Sequence, residues 1–135
     1  MKKQWIIIIP LVLFDVLTKF LIKGKHIPLF RFFSLNATEN TGIIFGMFKN
    51  NNQFWVIFTA FVLGVLLYLY HREKSLRFGL TFLIAGALGN LIDRLAYGFV
   101  IDFIDLTIWP VFNLADIYIV SGIILLLLHL RTKNL

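Results

Sequence analysis

The chain has 135 residues, 59% of them hydrophobic and only 15% charged, and its formal net charge is +6. Nine glycines raise the apolar share to about 66%, against roughly 45–50% in soluble domains, and a soluble core of this length cannot hide so much apolar surface. The composition therefore excludes a soluble globular domain and a disordered chain. The absence of cysteine excludes disulfides, thiol nucleophiles and cysteine-based metal sites.

Four segments are apolar over the roughly 20 residues that a helix needs to span the hydrocarbon core. They lie at about 5–22, 54–70, 76–95 and 112–130. The chain opens with two lysines and an apolar run, as a signal peptide would, but no small-residue cleavage site follows, so we predict a retained first helix. The predicted fold class is an all-α membrane protein with four transmembrane helices, forming a single integral membrane domain over 1–135.

Lysine and arginine residues near the ends of these spans indicate the orientation. Seven fall on the side of the chain termini and five on the other side. Because the first helix usually dominates, both termini are predicted to be cytoplasmic. The basic residues form no patch with interleaved aromatic residues, so no nucleic-acid partner is expected.

Two outer segments, 23–53 and 96–111, connect the spans on the side opposite the termini. The first is rich in Phe and Ile and is broken by Pro28 and by the Asn-Thr-Gly sequence at Asn40–Gly42. This composition predicts short strands with a turn, lying on the outer leaflet. Such an apolar surface suits contact with lipid or with a lipidated partner.

The first span contains two charged residues, Asp15 and Lys19. A charge at bilayer depth costs several kcal/mol unless it is paired or faces water, so both are candidates for a function. They lie four residues apart on one helical face, which predicts an intrahelical ion pair. A role in positioning substrate is the alternative, and spacing alone does not separate the two.

The third span ends in GALGNLIDR, which contains Asn90, Asp93 and Arg94. The small residues Gly86, Ala87 and Gly89 predict close approach by a neighbouring helix. Asn90 and Asp93 share a helical face, and Arg94 is long enough to reach the interface or a carboxylate. A hydrogen-bonded polar helix end and a functional cluster both fit this pattern.

Two pairs of polar residues follow in the last outer segment and at the start of the fourth span. Asp102 and Asp105 lie in VIDFIDL, and residues three apart on a strand point to opposite faces, so only one of them would face a shared site. Asn113 and Asp116 lie in FNLAD. This pattern is typical of a helix start, with Asn113 as the N-cap and Asp116 as an acid at the third helical position.

Carboxylate-only catalysis is the chemistry that these motifs leave open. There is no HExxH or G-x-S-x-G motif, and the three histidines fall on both sides of the membrane. Two neighbouring aspartates resist joint ionisation, so one keeps a proton and the pair acts as base and acid. Asp102 and Asp116 are the best pair, because they lie 14 positions apart, and a loop of this length allows their side chains to meet. No metal or cofactor is expected.

Taken together, the motifs resemble the lipoprotein signal peptidases (signal peptidase II). The resemblance covers nearly the whole chain. It is carried in order by FDVLTKF with Asp15 and Lys19, NTGIIFG with Asn40 and Gly42, GALGNLIDR with Asn90, Asp93 and Arg94, VIDF with Asp102, and FNLAD with Asn113 and Asp116.

The resemblance implies a multi-pass, four-helix aspartic endopeptidase of the bacterial cytoplasmic (inner) membrane, with a small extracytoplasmic β-cradle and an active site near the outer leaflet. Such an enzyme removes the signal peptide of a prolipoprotein by cleaving before a diacylglyceryl-modified cysteine. The expected partners are this substrate, membrane lipids and globomycin-like inhibitors that occupy the substrate site, and the chain is expected to be a monomer.

The resemblance also assigns roles to residues. Asp102 and Asp116 would be the catalytic pair. A larger set would contact substrate or orient the pair: Asn40, Gly42, Asn90, Arg94 and Asn113. Asp15, Lys19 and Asp93 would support the site.

Two features depart from the family pattern. The loop between Asp102 and Asp116 is compact, and Ile43 and Ile44 stand where small residues often follow the Asn-x-Gly, which predicts a narrower local pocket.

The alternative function is a small transporter or channel that uses buried Asp15, Lys19 and Asp93 as an ion path.

Overall fold

The computed structural model describes residues 2–42 and 51–133. The elements follow one another as α1 (Lys2–Ile22), β1 (His26–Phe30), β2 (Phe33–Asn40), α2 (Asn52–Arg72), α3 (Arg77–Tyr97), β3 (Val100–Asp105) and α4 (Leu114–Lys133), with a 3₁₀ turn over Lys74–Leu76 before α3. Ile43 and Ile44, where a narrower pocket was predicted, lie outside the described residues.

The helices match the apolar segments of the sequence. Within the described part of the chain, three stretches are long and apolar enough to cross a membrane: Asn52–Arg72, Lys74–Tyr97 and Leu114–Thr132. The remaining helix, α1, is also 21 residues long and exposes large apolar side chains such as Leu13 and Phe20. Apolar residues cover the outer faces of α2 and α4 as well, as a lipid environment requires. The chain is a multi-pass membrane protein.

Helix α3 is the centre of the bundle and packs against α1, α2 and α4. Small residues make this possible, as the sequence predicted. A Cβ placed on Gly86 would lie 2.6 Å from Cγ1 of Ile119, and one on Gly89 would lie 2.5 Å from a carboxylate oxygen of Asp15. Because both contacts are closer than real Cβ atoms tolerate, α1 and α4 approach α3 at its glycines.

The strands form one antiparallel sheet in the order β1-β2-β3. Pro28 lies in the edge strand β1, where its missing N–H is tolerated, and the register shifts between Pro28 and Phe30. On the other edge, β3 begins in the protein interior and pairs with β2 so that Asp102 lies opposite Thr38. The predicted short strands are confirmed, and β2 ends at Asn40, where the sequence predicted a break.

The start of α4 differs from the sequence expectation. The fourth span was predicted from residue 112, but the helix begins at Leu114. Phe112 instead pairs with Ile104 of β3 through two backbone hydrogen bonds of 2.8 and 3.2 Å, and Asn113 caps the helix. Apolar composition alone does not reveal that Phe112 is held by a strand.

We predict that Gly122→Ala destabilises the bundle, because a Cβ there would lie 2.8 Å from both the Gly79 carbonyl oxygen and Cγ of Leu83. Overpacking of this kind costs about 1–3 kcal/mol in the free energy of unfolding. Gly64→Ala in α2 is the matched control, because in the described part of the chain no atom of another element lies within 4 Å of its Cβ position. Thermal unfolding in detergent should show a lower Tm for the first variant only. Equal Tm values would contradict the close α3–α4 contact.

Candidate active site

Four helix ends meet beside the sheet: the C-terminal ends of α1 and α3 and the N-terminal ends of α2 and α4. Lys19 of α1 contacts Asn90 of α3, and the Asn52 amide donates to the Arg94 carbonyl oxygen over 3.1 Å. The polar residues that the sequence distributed over five motifs therefore lie together at one end of the bundle, and β3 adds Asp102 to them.

Asp102 is held on both carboxylate oxygens. The Asn113 side-chain amide donates to Oδ1 over 2.7 Å, and the Asn40 amide donates to Oδ2 over 2.8 Å. The Asp102 side chain is buried at 3% exposure. Asp105, three residues on, instead contacts the Asn36 amide and the Thr107 N–H. The prediction that only one of the two aspartates would face the site is confirmed.

Asp116 is fixed by the cap of α4. Its backbone N–H donates to Oδ1 of Asn113 over 2.9 Å, and its own carboxylate Oδ2 accepts from the Asn113 backbone N–H over 3.1 Å. This reciprocal pair is the predicted capping box. The cap uses the oxygen of the Asn113 amide and leaves its nitrogen to donate to Asp102. The interpretation of Asn113 as a helix cap is therefore confirmed, and its side-chain nitrogen remains available to Asp102.

Asn90 has the same arrangement. Its oxygen accepts from the Lys19 ammonium over 3.1 Å and from the Asn113 amide over 3.0 Å, which leaves its nitrogen to donate to Oδ1 of Asp116 over 3.0 Å. Asn90 and Asn113 are both buried, at 9% and 0% exposure. Of the two roles predicted for them, this burial supports orientation of the carboxylates rather than contact with substrate.

Asp15, Lys19 and Asp93 form an ion-pair cluster behind the asparagines. The Lys19 ammonium lies 2.8 Å from Oδ2 of Asp15 and 2.9 Å from Oδ2 of Asp93, and all three side chains are buried. The predicted Asp15–Lys19 pair is thus present. Asp15 also accepts the Ala115 N–H at the start of α4, and Asp93 accepts the Ile101 N–H of β3. The cluster ties both helix α4 and strand β3 to the bundle.

A cavity of about 460 Å³ opens in front of the two carboxylates. Five of the predicted site residues line it: Asn40, Gly42, Arg94, Asp102 and Asp116. The Gly42 N–H donates to the Asn40 side-chain oxygen over 3.1 Å, which orients that amide toward Asp102. Arg94 contributes the only guanidinium in this lining, and within the described residues its hydrogen bond is to the Asn90 carbonyl oxygen at 3.5 Å.

Sequence reasoning missed the apolar wall of this cavity. That wall consists of Trp109, Pro110, Val111, Phe112 and Val120. These residues are apolar, and in a chain this hydrophobic an apolar residue stands out only by its position. A tryptophan directly before a proline in an outer loop is the signal that was available.

The two carboxylates have the chemistry that a proton-sharing pair needs. Burial, together with the nearby Asp116 carboxylate, raises the pKa of Asp102 to about 6, against the opposing effect of the hydrogen bonds from the amides of Asn40 and Asn113. Asp102 can therefore change protonation state close to neutral pH, at the wall of a cavity large enough to hold water and a peptide bond.

Comparison with known proteins gives a consistent family. A sequence profile described as "Signal peptidase (SPase) II" matches residues 7–132. The chain is similar to the lipoprotein signal peptidase of Moorella thermoacetica, with 43% identity over 122 residues that cover 83% of this chain and 81% of that protein. The corresponding protein of Thermodesulfovibrio yellowstonii is 47% identical over 112 residues, with coverages of 79% and 76%.

Solved structures agree with these sequence relatives. One described as a bacterial membrane enzyme, at 2.3 Å resolution, is 30% identical, with a TM-score of 0.90 over 99% of this chain and 90% of that chain. A second with the same description, at 1.9 Å, has a TM-score of 0.86 at 30% identity and covers 96% and 93%.

We predict that Asp102 makes the folded protein less stable as pH rises. An aspartate whose pKa is about 6 when folded and near its ordinary 3.8 when unfolded binds more protons in the folded state between these values, so stability falls through this range by roughly 3 kcal/mol at most. The groups that act on Asp102 include Asp116 and Lys19, which are unchanged in Asp102→Asn. Between pH 4 and 7, the Tm of the wild type should fall relative to that of this variant. Parallel Tm curves would contradict the raised pKa.

Proposed function

The chain belongs to the signal peptidase II family of aspartic peptidases, and we propose that Asp102 and Asp116 are the catalytic pair with which it removes signal peptides from prolipoproteins. One observation carries the assignment. Asn113 donates to both carboxylates, from its side-chain amide to Asp102 and from its backbone N–H to Asp116, while both carboxylates line the same cavity. A single residue thereby holds the two acids in fixed relation to each other.

The reaction follows from one shared proton. The ionised carboxylate takes a proton from a water molecule, which attacks the scissile carbonyl carbon, and the protonated carboxyl donates a hydrogen bond to the carbonyl oxygen. When the C–N bond of the tetrahedral intermediate breaks, a proton passes to the leaving amine. Fixed N–H donors around both carboxylates keep their oxygens in place through these transfers.

The cavity lining supports the binding roles proposed for Asn40, Gly42 and Arg94. Asn40 and Gly42 present polar backbone and amide groups beside Asp102, where an extended peptide would lie. Arg94 offers a cation to carbonyl or ester oxygens of the substrate. A diacylglyceryl-modified cysteine would bring its ester oxygens and its acyl chains to the same end of the bundle. Globomycin-like cyclic peptides would compete for this cavity.

We place the site near the outer leaflet of the bacterial inner membrane. With α1 as the fourth span, the chain crosses the membrane four times, and the start of α1 and the end of α4 lie on the cytoplasmic side. The polar cluster and the sheet lie at the opposite helix ends.

The transporter alternative has no support. It required Asp15, Lys19 and Asp93 to form an ion path, but these side chains are paired with one another and are 0%, 1% and 2% exposed. Family membership supports the peptidase instead.

We predict that Asp102→Asn and Asp116→Asn each lower the cleavage rate by about 10³-fold or more, because neither variant can share a proton between two carboxylates. Asp105→Asn is the matched control, since Asp105 lies on the same strand and contacts Asn36 and the Thr107 N–H outside the cavity. The measurement is the gel shift of a lipidated prolipoprotein incubated with each purified variant in lipid. Substantial cleavage by either of the first two variants would refute the assignment.

We also predict that the enzyme cleaves a prolipoprotein whose cysteine carries the diacylglyceryl group and leaves the unmodified form intact. The same gel shift, followed with matched substrates, tests this directly, and globomycin should stop the reaction. Equal cleavage of both forms would show that the lipid is not recognised.

A further inference from the structure

The loop between β3 and α4 presents a tryptophan beside the two carboxylates. The end of the loop nearest α4 is fixed by the backbone hydrogen bonds between Phe112 and Ile104. The start of the loop is fixed by the Thr107 N–H, which donates to Oδ1 of Asp105 over 2.8 Å. Trp109 lies on this loop and is 66% exposed. The loop is therefore anchored at both ends and holds a large apolar side chain at the surface.

Trp109 is a shared wall of two cavities. One is the 460 Å³ cavity in front of Asp102 and Asp116. The other, of about 260 Å³, is lined by Trp109, Phe112, Asp116, Ile117, Val120 and Ser121. We name this second cavity the α4 groove. It leads from Asp116 at its inner end to the exposed apolar face of α4, where Ile117 is 40% and Val120 is 55% exposed.

The size and chemistry of the α4 groove restrict its occupant. The groove has a volume of about 260 Å³, and a single extended aliphatic chain is much slimmer than an α-helix, whose diameter is about 10–12 Å. Four of its six lining residues are apolar, and its outer wall continues along a helix that is apolar enough to cross the membrane. A single aliphatic chain that enters from the bilayer fits both conditions.

We infer that Trp109 and the outer face of α4 bind one acyl chain of the diacylglyceryl group of the substrate. The inference rests on the proposed function and assigns to Trp109 a part in recognising the lipid. Because the groove shares Asp116 with the catalytic cavity, an acyl chain in it would place the modified cysteine next to the two carboxylates.

Kinetics with substrates of two acyl lengths test the inference. In this experiment, the 135-residue protein in detergent micelles is incubated with prolipoprotein peptides that carry either two 8-carbon or two 16-carbon acyl chains, and KM is measured for each. Trp109→Ala should raise KM for the long-chain substrate by about tenfold and for the short-chain substrate by no more than about twofold. Trp109→Phe should retain most of the wild-type KM. Ile108→Ala is the matched control, because Ile108 lies on the same loop, is 88% exposed and lines neither cavity.

A groove-filling variant makes the test independent of Trp109. Ile117 lines the α4 groove but not the catalytic cavity, so Ile117→Phe should raise KM for the long-chain substrate only. If Trp109→Ala raises KM equally for both chain lengths, or changes neither, the inference is wrong. If the wild type cleaves neither substrate, the proposed function itself fails.

Fluorescence distinguishes the substrate chain from ordinary membrane lipid. The protein has three tryptophans, so the fluorescence of Trp109 must be isolated. It is the difference in tryptophan fluorescence between the Asp102→Asn variant and the Asp102→Asn/Trp109→Phe variant, each in vesicles of phosphatidylglycerol. Bromine atoms on the acyl chains of the bound substrate should quench this difference signal. Stronger quenching by bromine on the host phospholipid, unchanged when substrate is added, would assign the groove to bulk lipid and overturn the inference.

Discussion

The buried ammonium of Lys19 is the interaction on which the rest of the site depends. An unpaired charge at this depth would cost several kcal/mol, and Lys19 is paired with Asp15 from its own helix and with Asp93 from α3. Each of these carboxylates also binds a backbone N–H of another element, Ala115 of α4 or Ile101 of β3. One cation therefore sets the positions of helix α4, which carries Asp116, and of strand β3, which carries Asp102.

The same ammonium determines which way an amide points. Because Lys19 and Asn113 both donate to the Asn90 oxygen, the Asn90 nitrogen must face Asp116. In Asn113 the helix cap occupies the oxygen and directs the nitrogen to Asp102. Asparagine offers both a donor and an acceptor. Here each side-chain oxygen accepts from the scaffold and each side-chain nitrogen donates to a carboxylate, while that of Asn113 also donates to Asn90.

The cavity joins two environments that the reaction requires at one place. Its polar wall of Asn40, Asp102 and Asp116 suits water and a peptide backbone. Its apolar wall, with Trp109 and Val120, leads toward the lipid-facing surface of α4. Peptide hydrolysis beside a lipid anchor needs both walls, and the short connection between β3 and α4 supplies the apolar one.

The sequence determined much of this protein, because a helix that spans the lipid bilayer must be apolar over about 20 residues, and the four helices follow from this length. The contacts of Asp15 with Lys19 and of Asn113 with Asp116 follow from their spacing of three or four residues, which is about one helix turn. The pairing of Asp102 with Asp116 was reachable by eliminating other chemistries. Only the tertiary structure decided that Asn90 and Asn113 lie behind the carboxylates, that Phe112 belongs to a strand bridge rather than to α4, and that Trp109 borders the site. These contacts depend on how the helices and strands pack together. The sequence does not show whether an asparagine or a tryptophan faces a carboxylate, a substrate or lipid.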